Sequence, residues 1–425
     1  MKSFNIPGFY KSGIISKVKE LRRSTDPRKK DYSPTLLDFG PVKFYIARHF
    51  GFCYGVENAI EISFKAVEEN PHKRIFLLSQ MIHNPEVNSD LVNRGVKFLM
   101  DTNGKQIIPF EELKKEDIVI IPAFGTTLAI EERLQKIGIA VHKYDTTCPF
   151  VERVWKKAER LGEEKYTVII HGKHNHEETR ATFSRSEIYS PAIIIKNMRE
   201  AEKLGDYING NLSREEFDNF FSKRTSSDFD PEKDLVRVGV INQTTMLASE
   251  TQDIADYFRE VMEKKYGASH FADTRDTLCY ATNENQEATL ALLDQPADIA
   301  IVVGGYNSSN TSHIVELCEQ KFPTYFISSE TEITSKEKIN HFDFHNQKNI
   351  TTGNYLTPSP VSPFGGDTPS PSGRAGGGVS IILTSGASCP DAVVERVMMK
   401  MLSYFENVKP TEKVMEIVLA ESQLP

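Results

Sequence analysis

Seven times along the chain, a short run of β-branched and other apolar residues breaks into a small, polar turn and then into a stretch of helical period. The runs are VKFYIARHFGFC, RIFLLSQMIHN, DIVIIPAFGTT, YTVIIHGKHNHEE, LVRVGVINQTT, DIAIVVGGYNSSN and VSIILTSGASCPD. Continuous apolar strands need cover on both faces, and alternation with helices supplies it in parallel α/β layers. Ligands of such layers gather beyond the carboxyl ends of the strands, so the chemistry is expected in the small, polar turns.

The chain has 425 residues, 39% hydrophobic and 26% charged, which allows about three domains at roughly 150 residues each. A net charge of −8 argues against a sequence-independent grip on nucleic acid or an anionic membrane, because both need a basic surface. The partner is expected to be small. The longest apolar runs are too short to span a bilayer, and no cationic start with an apolar core marks a secretory signal. The somewhat basic first thirty or so residues carry Glu20 and Asp26, with Asp31 just after, which fits poorly with an organelle transit peptide. A cytoplasmic protein is the expectation, with its five widely spaced cysteines reduced.

Val56, Ala59, Ile60, Ser63, Phe64 and Val67 form one helical stripe, and Val394, Val397, Met398, Met401, Leu402 and Phe405 another; both read as core. The polar stretch from Ser213 to Asp234 reads as a short helix and loop inserted in the middle domain. The segment 351–378, rich in Pro, Gly, Ser and Thr, reads as a mobile surface loop. The resulting division is an N-terminal extension 1–42, modules 43–148, 149–275 and 276–409, and a C-terminal tail 410–425.

Two cysteines share an Asp-Thr-x-Cys frame, in DTTCPFV and DTLCYAT, and Cys53 in GFCYGVENAI occupies a comparable junction. Cys53, Cys148 and Cys279 should each sit at the mouth of a helix, where unpaired amides and the helix dipole favour thiolate. Pro149 suits a first helical turn. Any one of the three taken alone reads as a buried apolar cysteine; the repeated frame, at spacings of about one domain, points instead to a shared centre. Three soft thiolates without matching histidines favour iron and sulfur over zinc, and a cubane so held leaves one iron open. Cys318 reads as core, and Cys389 as a neighbour of the site.

HGKHNHEETRAT places His171, His174, His176, Glu177 and Glu178 just past a strand. It lacks the spacing of the HExxH zinc motif, so it reads either as surface polarity or, facing a pocket, as a carboxylate–imidazole pair for proton delivery. GGYNSSNTSH offers Ser308, Ser309 and Asn310 at a strand-to-helix turn, and TSGAS offers Ser388. Helix capping explains either turn alone, but together with NQTT and IHN they suggest a cradle for an anion without a P-loop.

These motifs together (GFCYGV, IHNPEVN, DTTCP, HEET, NQTT, CYATNENQEA, NSSN and SGAS) resemble the LytB family over residues 44–405. That family comprises the hydroxymethylbutenyl diphosphate reductases that finish the methylerythritol phosphate route to isoprenoids. The resemblance implies three parallel-sheet α/β modules in a pseudo-threefold arrangement around one [4Fe-4S] cluster, with Cys53, Cys148 and Cys279 as its ligands. It implies Glu178 as proton donor, His176 as its partner near the substrate, and Thr244 as the group that holds both the carboxylate and the substrate hydroxyl. His83, Ser308, Ser309, Asn310 and Ser388 match the groups that wrap the diphosphate. The implied chemistry is reductive dehydroxylation of an allylic diphosphate, with electrons from a donor protein such as ferredoxin or flavodoxin. Many bacterial members carry a second diphosphate-binding histidine where this chain has Phe124 in PAFG, as in the plant and cyanobacterial branch; His313 or Lys173 could compensate. The rivals are a three-cysteine cluster dehydratase of the quinolinate synthase type, which would prefer dicarboxylates, and a non-catalytic iron–sulfur sensor, which would need no diphosphate cradle.

Overall fold

The computed structural model describes residues 4–272, 277–356 and 378–421. They divide into two compact units: one takes the chain up to Cys53, the turn His83–Pro85 and everything from Ala281 onward, and the other takes Tyr54–Ile82 and Glu86–Tyr280.

The first unit is built on a five-stranded sheet in the order Thr35–Asp38, Val42–Ile46, Val379–Ser385, Ile299–Val303, Thr324–Ile327, in which only the first pair is antiparallel. All five residues of Ile299–Val303 are buried, as a central parallel strand covered on both faces requires. Helices Ser309–Glu319 and Asp391–Leu402 follow the two central strands, so the turns GGYNSS and GASCP lie at their carboxyl ends. Strand Val42–Ile46 was expected with the 43–148 module, but it pairs with Val379–Ser385. Sequence order does not dictate sheet order, because a parallel partner is reached only by a crossover. The segments expected as an extension and a tail also enter this core. Helix Ile14–Thr25 buries Ile15 and Val18, and Thr411–Glu421 buries Val414, Met415 and Val418.

Of the segment expected to be a mobile loop, residues 351–353 instead close the hairpin Lys338–Asp343/Lys348–Gly353, and 357–377 lie outside the described residues. The hairpin is held at the sheet by Phe342, whose ring stacks on Tyr306 at 4.5 Å.

The second unit carries two parallel sheets. One has the order Lys97–Phe98, Ile75–Leu77, Ile118–Ile120, and the other Ala192–Ile195, Thr167–His171, Val238–Asn242, Phe271–Ala272. Strands Ile118–Ile120, Thr167–His171, Ala192–Ile195 and Val238–Asn242 are mostly β-branched, and helices Tyr54–Glu69, Pro149–Glu163, Glu177–Ser186 and Ala248–Lys265 alternate with the strands. The parallel α/β reading holds for the described residues. The Ser213–Asp234 stretch does contain a short helix, Arg214–Phe220, started by a Ser213–Glu216 capping box. It is more than a surface insertion, because Phe217 and Phe221 are almost wholly buried in the core around Ile193, Leu204 and Phe258. Among the described residues no helix is long and apolar enough to cross a membrane.

Phe217→Ala should therefore cost about 3–5 kcal/mol through lost burial and a residual cavity. Denaturant unfolding would read this as a lowered midpoint, with a much smaller shift for Phe220→Ala, since Phe220 is 38% exposed.

Candidate active site

Each of the three cysteines expected at a helix mouth immediately precedes a helix: Tyr54–Glu69, Pro149–Glu163 and Tyr280–Leu293. Cys148 is the N-cap residue itself, with extended backbone (φ −67°, ψ 132°) and Pro149 at the first helical position. Its N–H donates to the Ala123 carbonyl at 3.0 Å, and the Cys279 N–H donates to the Thr244 carbonyl at 3.1 Å. Both thiols thus stand on backbone already committed to neighbouring turns.

The first turns of these helices meet within the second unit. The Tyr54 N–H points to the Tyr280 hydroxyl at 3.4 Å, and the rings of Phe150 and Tyr280 lie 5.0 Å apart. A Cβ on Gly55 would stand 2.5 Å from the Cys148 sulfur, so the residue second after Cys53 must be glycine for this approach. Sequence reasoning passed over Gly55 and Tyr280. The signal was present in a glycine at the start of an otherwise apolar helical stripe, where it costs helix propensity without marking an end.

Cys318 behaves differently. It is fully buried inside Ser309–Glu319, and burial, with Glu319 adding to it, pushes its thiol up to about 12. Cys389 is also fully buried, one residue after Ser388. None of the five cysteines is in a disulfide.

The HNHEET turn is not surface polarity. His176 caps helix Glu177–Ser186, its Nδ1 accepting the Glu178 N–H at 3.2 Å, so the neutral ring carries its hydrogen on Nε2. Glu178 is 1% exposed, and Thr244 holds it twice: N–H to Oε1 at 2.5 Å and hydroxyl to Oε2 at 3.0 Å. Burial pushes the carboxyl up to about 7, against the opposing pull of the two Thr244 hydrogen bonds. The neighbouring Glu177 is buried too but turns elsewhere, toward the Ser79 hydroxyl. Lys173 is tied by its N–H to Gln243 Oε1 at 3.1 Å, whereas His174 is exposed.

Phe124 packs edge-to-face on the His176 ring at 5.5 Å. Its turn is fixed by Gly125, whose φ of +72° and close fit against Trp155 leave no room for a side chain. Trp155 in turn donates to Thr182 at 3.1 Å beneath the Arg185 guanidinium, 3.9 Å from its ring.

In the first unit, Ser308 caps helix Ser309–Glu319 by accepting the Thr311 N–H at 3.2 Å, which leaves its own hydrogen to donate. Asn310 Oδ1 accepts the Ala387 N–H at 2.8 Å and the Asn285 amide at 3.3 Å. Its buried Nδ2 finds no partner among the described residues, an outstanding donor at a helix start. Ser388 donates to the His83 carbonyl at 3.2 Å, joining the IHN and SGAS turns, and Ser309 is 3% exposed on the same helix start. His313, one turn further, binds Glu316 through Nδ1 at 2.6 Å. The arrangement provides hydroxyl and amide donors at a helix N-terminus, suited to an anion.

Parallel α/β layers, thiols at helix mouths and a buried carboxyl with its pKa raised to about 7 are the features of a small-molecule enzyme whose thiols suit a soft metal centre. A search of protein families matches the LytB protein family over residues 44–402. Among curated relatives, the 4-hydroxy-3-methylbut-2-enyl diphosphate reductase of Prochlorococcus marinus is 37% identical over 94% of this chain and 91% of its own length. That of Thermosynechococcus vestitus is 39% identical over 86% of this chain and 85% of its own. Among solved structures, the E-1-hydroxy-2-methyl-but-2-enyl-4-diphosphate reductase from Plasmodium falciparum shares the fold at a TM-score of 0.59. It is 20% identical over 90% of this chain and all of that one. The chain belongs to the LytB family.

Gly125→Ala would force a Cβ into Trp155 at a φ that side chains rarely adopt. The emission of Trp155, the chain's only tryptophan, should shift to the red as its ring is pushed toward water. An unchanged spectrum would mean that the turn absorbs the side chain without moving.

Proposed function

We propose that this chain converts (E)-4-hydroxy-3-methylbut-2-enyl diphosphate into isopentenyl and dimethylallyl diphosphate, the last step of the methylerythritol phosphate pathway. The observation that carries the reading is the double role of Thr244. Its N–H and hydroxyl hold the Glu178 carboxyl while its carbonyl holds the amide of Cys279, so acid and thiol are joined through one residue. Family membership over most of the chain supports it.

Among the described residues no three His, Cys, Asp or Glu side chains already stand together as a metal site; what supports one [4Fe-4S] cluster per chain is the chemistry of the donors, three soft thiols each at a helix start, with Gly55 close against Cys148, and membership of the family. Cys53, Cys148 and Cys279 would hold it, with three α/β modules in a pseudo-threefold arrangement around it. When bound, such a cluster supplies an iron with an open position, a Lewis acid for the allylic hydroxyl and a path for electrons from a protein donor such as ferredoxin or flavodoxin.

The balanced reaction takes two electrons and two protons, breaks the C–O bond and releases water. Glu178, neutral below about pH 7, delivers the proton that lets the hydroxyl leave. Thr244 orients that carboxyl, and His176 presents Nε2–H to the substrate, its ring held by the Glu178 amide and by Phe124. His83, Ser308, Ser309, Asn310 and Ser388 bind the diphosphate, and their hydrogen bonds grip the far end of the substrate. The second proton goes to either end of the allylic system and yields the two products. A cytoplasmic location goes with this reading; the net charge of −8 does not favour attachment to an anionic membrane.

Glu178→Gln keeps volume and hydrogen bonding but cannot give up the proton, so turnover should fall by about 10²-fold or more while substrate still binds. Glu177→Gln, tied to Ser79, should be nearly normal. Because burial raises the Glu178 pKa, its acid form is present at low pH and lost above about 7. The rate should therefore decline as pH rises through that value, and a flat profile would remove Glu178 from the role.

Protein purified without oxygen should carry about four irons per chain, lost in Cys53→Ser, Cys148→Ser or Cys279→Ser and kept in Cys318→Ser. Stoichiometric zinc would overturn this reading. Alanine at Ser308, Asn310, Ser388 or His83 should mainly weaken affinity, each unmet partner costing about 1–3 kcal/mol. Unchanged diphosphate affinity in all four would mean that the cradle is misassigned.

A further inference from the structure

The residues before 44 lie outside the matched span of the family, yet they touch five consecutive positions, Arg48 to Phe52, of the loop that leads into Cys53. Arg48, 7% exposed, donates to the Arg22 and Asp26 carbonyls at 3.2 and 3.3 Å. The His49 ring packs against Tyr32 at 5.6 Å. The Phe50 carbonyl accepts from Lys19 Nζ at 2.8 Å, and the same ammonium sits 4.2 Å above the Phe50 ring. Gly51, at φ +75°, turns so tightly that a Cβ would lie 2.7 Å from Lys19 Nζ and 2.4 Å from Asp391 Oδ1. Phe52 meets Tyr10, itself almost wholly buried, at 5.7 Å.

The segment that makes these contacts is itself anchored to the same unit. Lys19 pairs with Asp391 at 2.5 Å, the Ile14 N–H donates to Glu395 at 2.8 Å, and Lys29 pairs with Glu284 at 2.9 Å. At the far end of the loop, the Cys53 N–H donates to the Ala387 carbonyl at 3.2 Å. A loop of six residues with a left-handed glycine would sample several conformations if bound only at its ends. Here five consecutive positions are pinned by one preceding segment.

We infer that the segment from Tyr10 to Tyr32 is a clamp that sets the conformation and solvent access of the Cys53 loop, with Lys19 as its central positioning residue. Lys19 joins three things at once: the loop carbonyl, the glycine turn and the first residue of helix Asp391–Leu402. Its ammonium serves the Phe50 carbonyl and the Asp391 carboxylate through donated hydrogen bonds and charge, and lies against the glycine turn; an apolar side chain of similar length supplies neither bond. The inference concerns the loop and holds whatever the thiol binds, so it stands or falls separately from the proposed reaction.

The test is alkylation of the purified full-length protein with iodoacetamide, with the rate at each cysteine followed by peptide mass spectrometry. In Lys19→Met, Cys53 should be modified several-fold faster while Cys148 and Cys279 keep their rates, and Lys19→Arg should restore the slow rate. Tyr10→Leu, acting on Phe52 rather than Phe50, should give the same selective increase. Unchanged Cys53 reactivity in both Lys19→Met and Tyr10→Leu would overturn the clamp. A parallel rise at all the thiols would also overturn it, because it would report general loosening of the fold.

Discussion

The buried carboxyl of Glu178 is the constraint around which the second unit is arranged. Removing a carboxylate from water is costly, and the group escapes the cost by remaining neutral, which is why its pKa rises to about 7. Two opposing influences are in place: it stands in the first turn of Glu177–Ser186, where the helix dipole favours the anion, and it accepts from Thr244 twice. Burial outweighs the pair of hydrogen bonds. The result is an acid whose proton is held loosely near neutral pH, a state that neither a surface glutamate nor an unsupported buried one attains.

The cysteines follow the same logic with the opposite sign. Cys318 sits within a helix, whose amides are spent on the helix itself, and burial leaves its thiol firmly protonated. Cys53, Cys148 and Cys279 each stand where a helix begins, at the positive end of its dipole, a setting that favours negative charge on sulfur. One residue type therefore occupies two backbone settings, a helix interior for Cys318 and a helix mouth for the other three.

Most of this was legible in the sequence because it is local. Strand, turn and helix follow from patterning over a dozen residues, and a cysteine or serine just before a helical period is a cap whatever its distant surroundings. What depended on contacts across the chain was not legible. Val42–Ile46 looks like the opening strand of the module that follows it, but its partner Val379–Ser385 lies more than three hundred positions away. Helices Ile14–Thr25 and Thr411–Glu421 offer short apolar stripes that any surface helix could carry; only the sheet they cover makes Ile15 and Val414 core. Phe217 and Phe221 were hidden because the charged residues around them dominate the local average. In the site, Glu178, Thr244 and the serines were recognisable as motifs, whereas Gly55 and Trp155 matter only through what they touch.

The NQTT turn shows why the polar groups around the acid are amides and hydroxyls. Asn242 donates to Thr277, two residues before Cys279; Gln243 accepts from the Lys173 N–H and the Thr179 hydroxyl; and Thr244 holds Glu178. Three consecutive residues thus fasten the acid-bearing turn to the stretch just before a thiol. An arginine or lysine at any of these positions would reach the same partners, but it would bring a buried positive charge toward the carboxyl. Such a charge favours the carboxylate and would pull the pKa down toward the usual range, releasing the proton before substrate arrives. A second carboxylate would push it up and hold the proton too firmly. Only uncharged donors and acceptors can fix the geometry while leaving burial in control of the proton, and the turn contains no others.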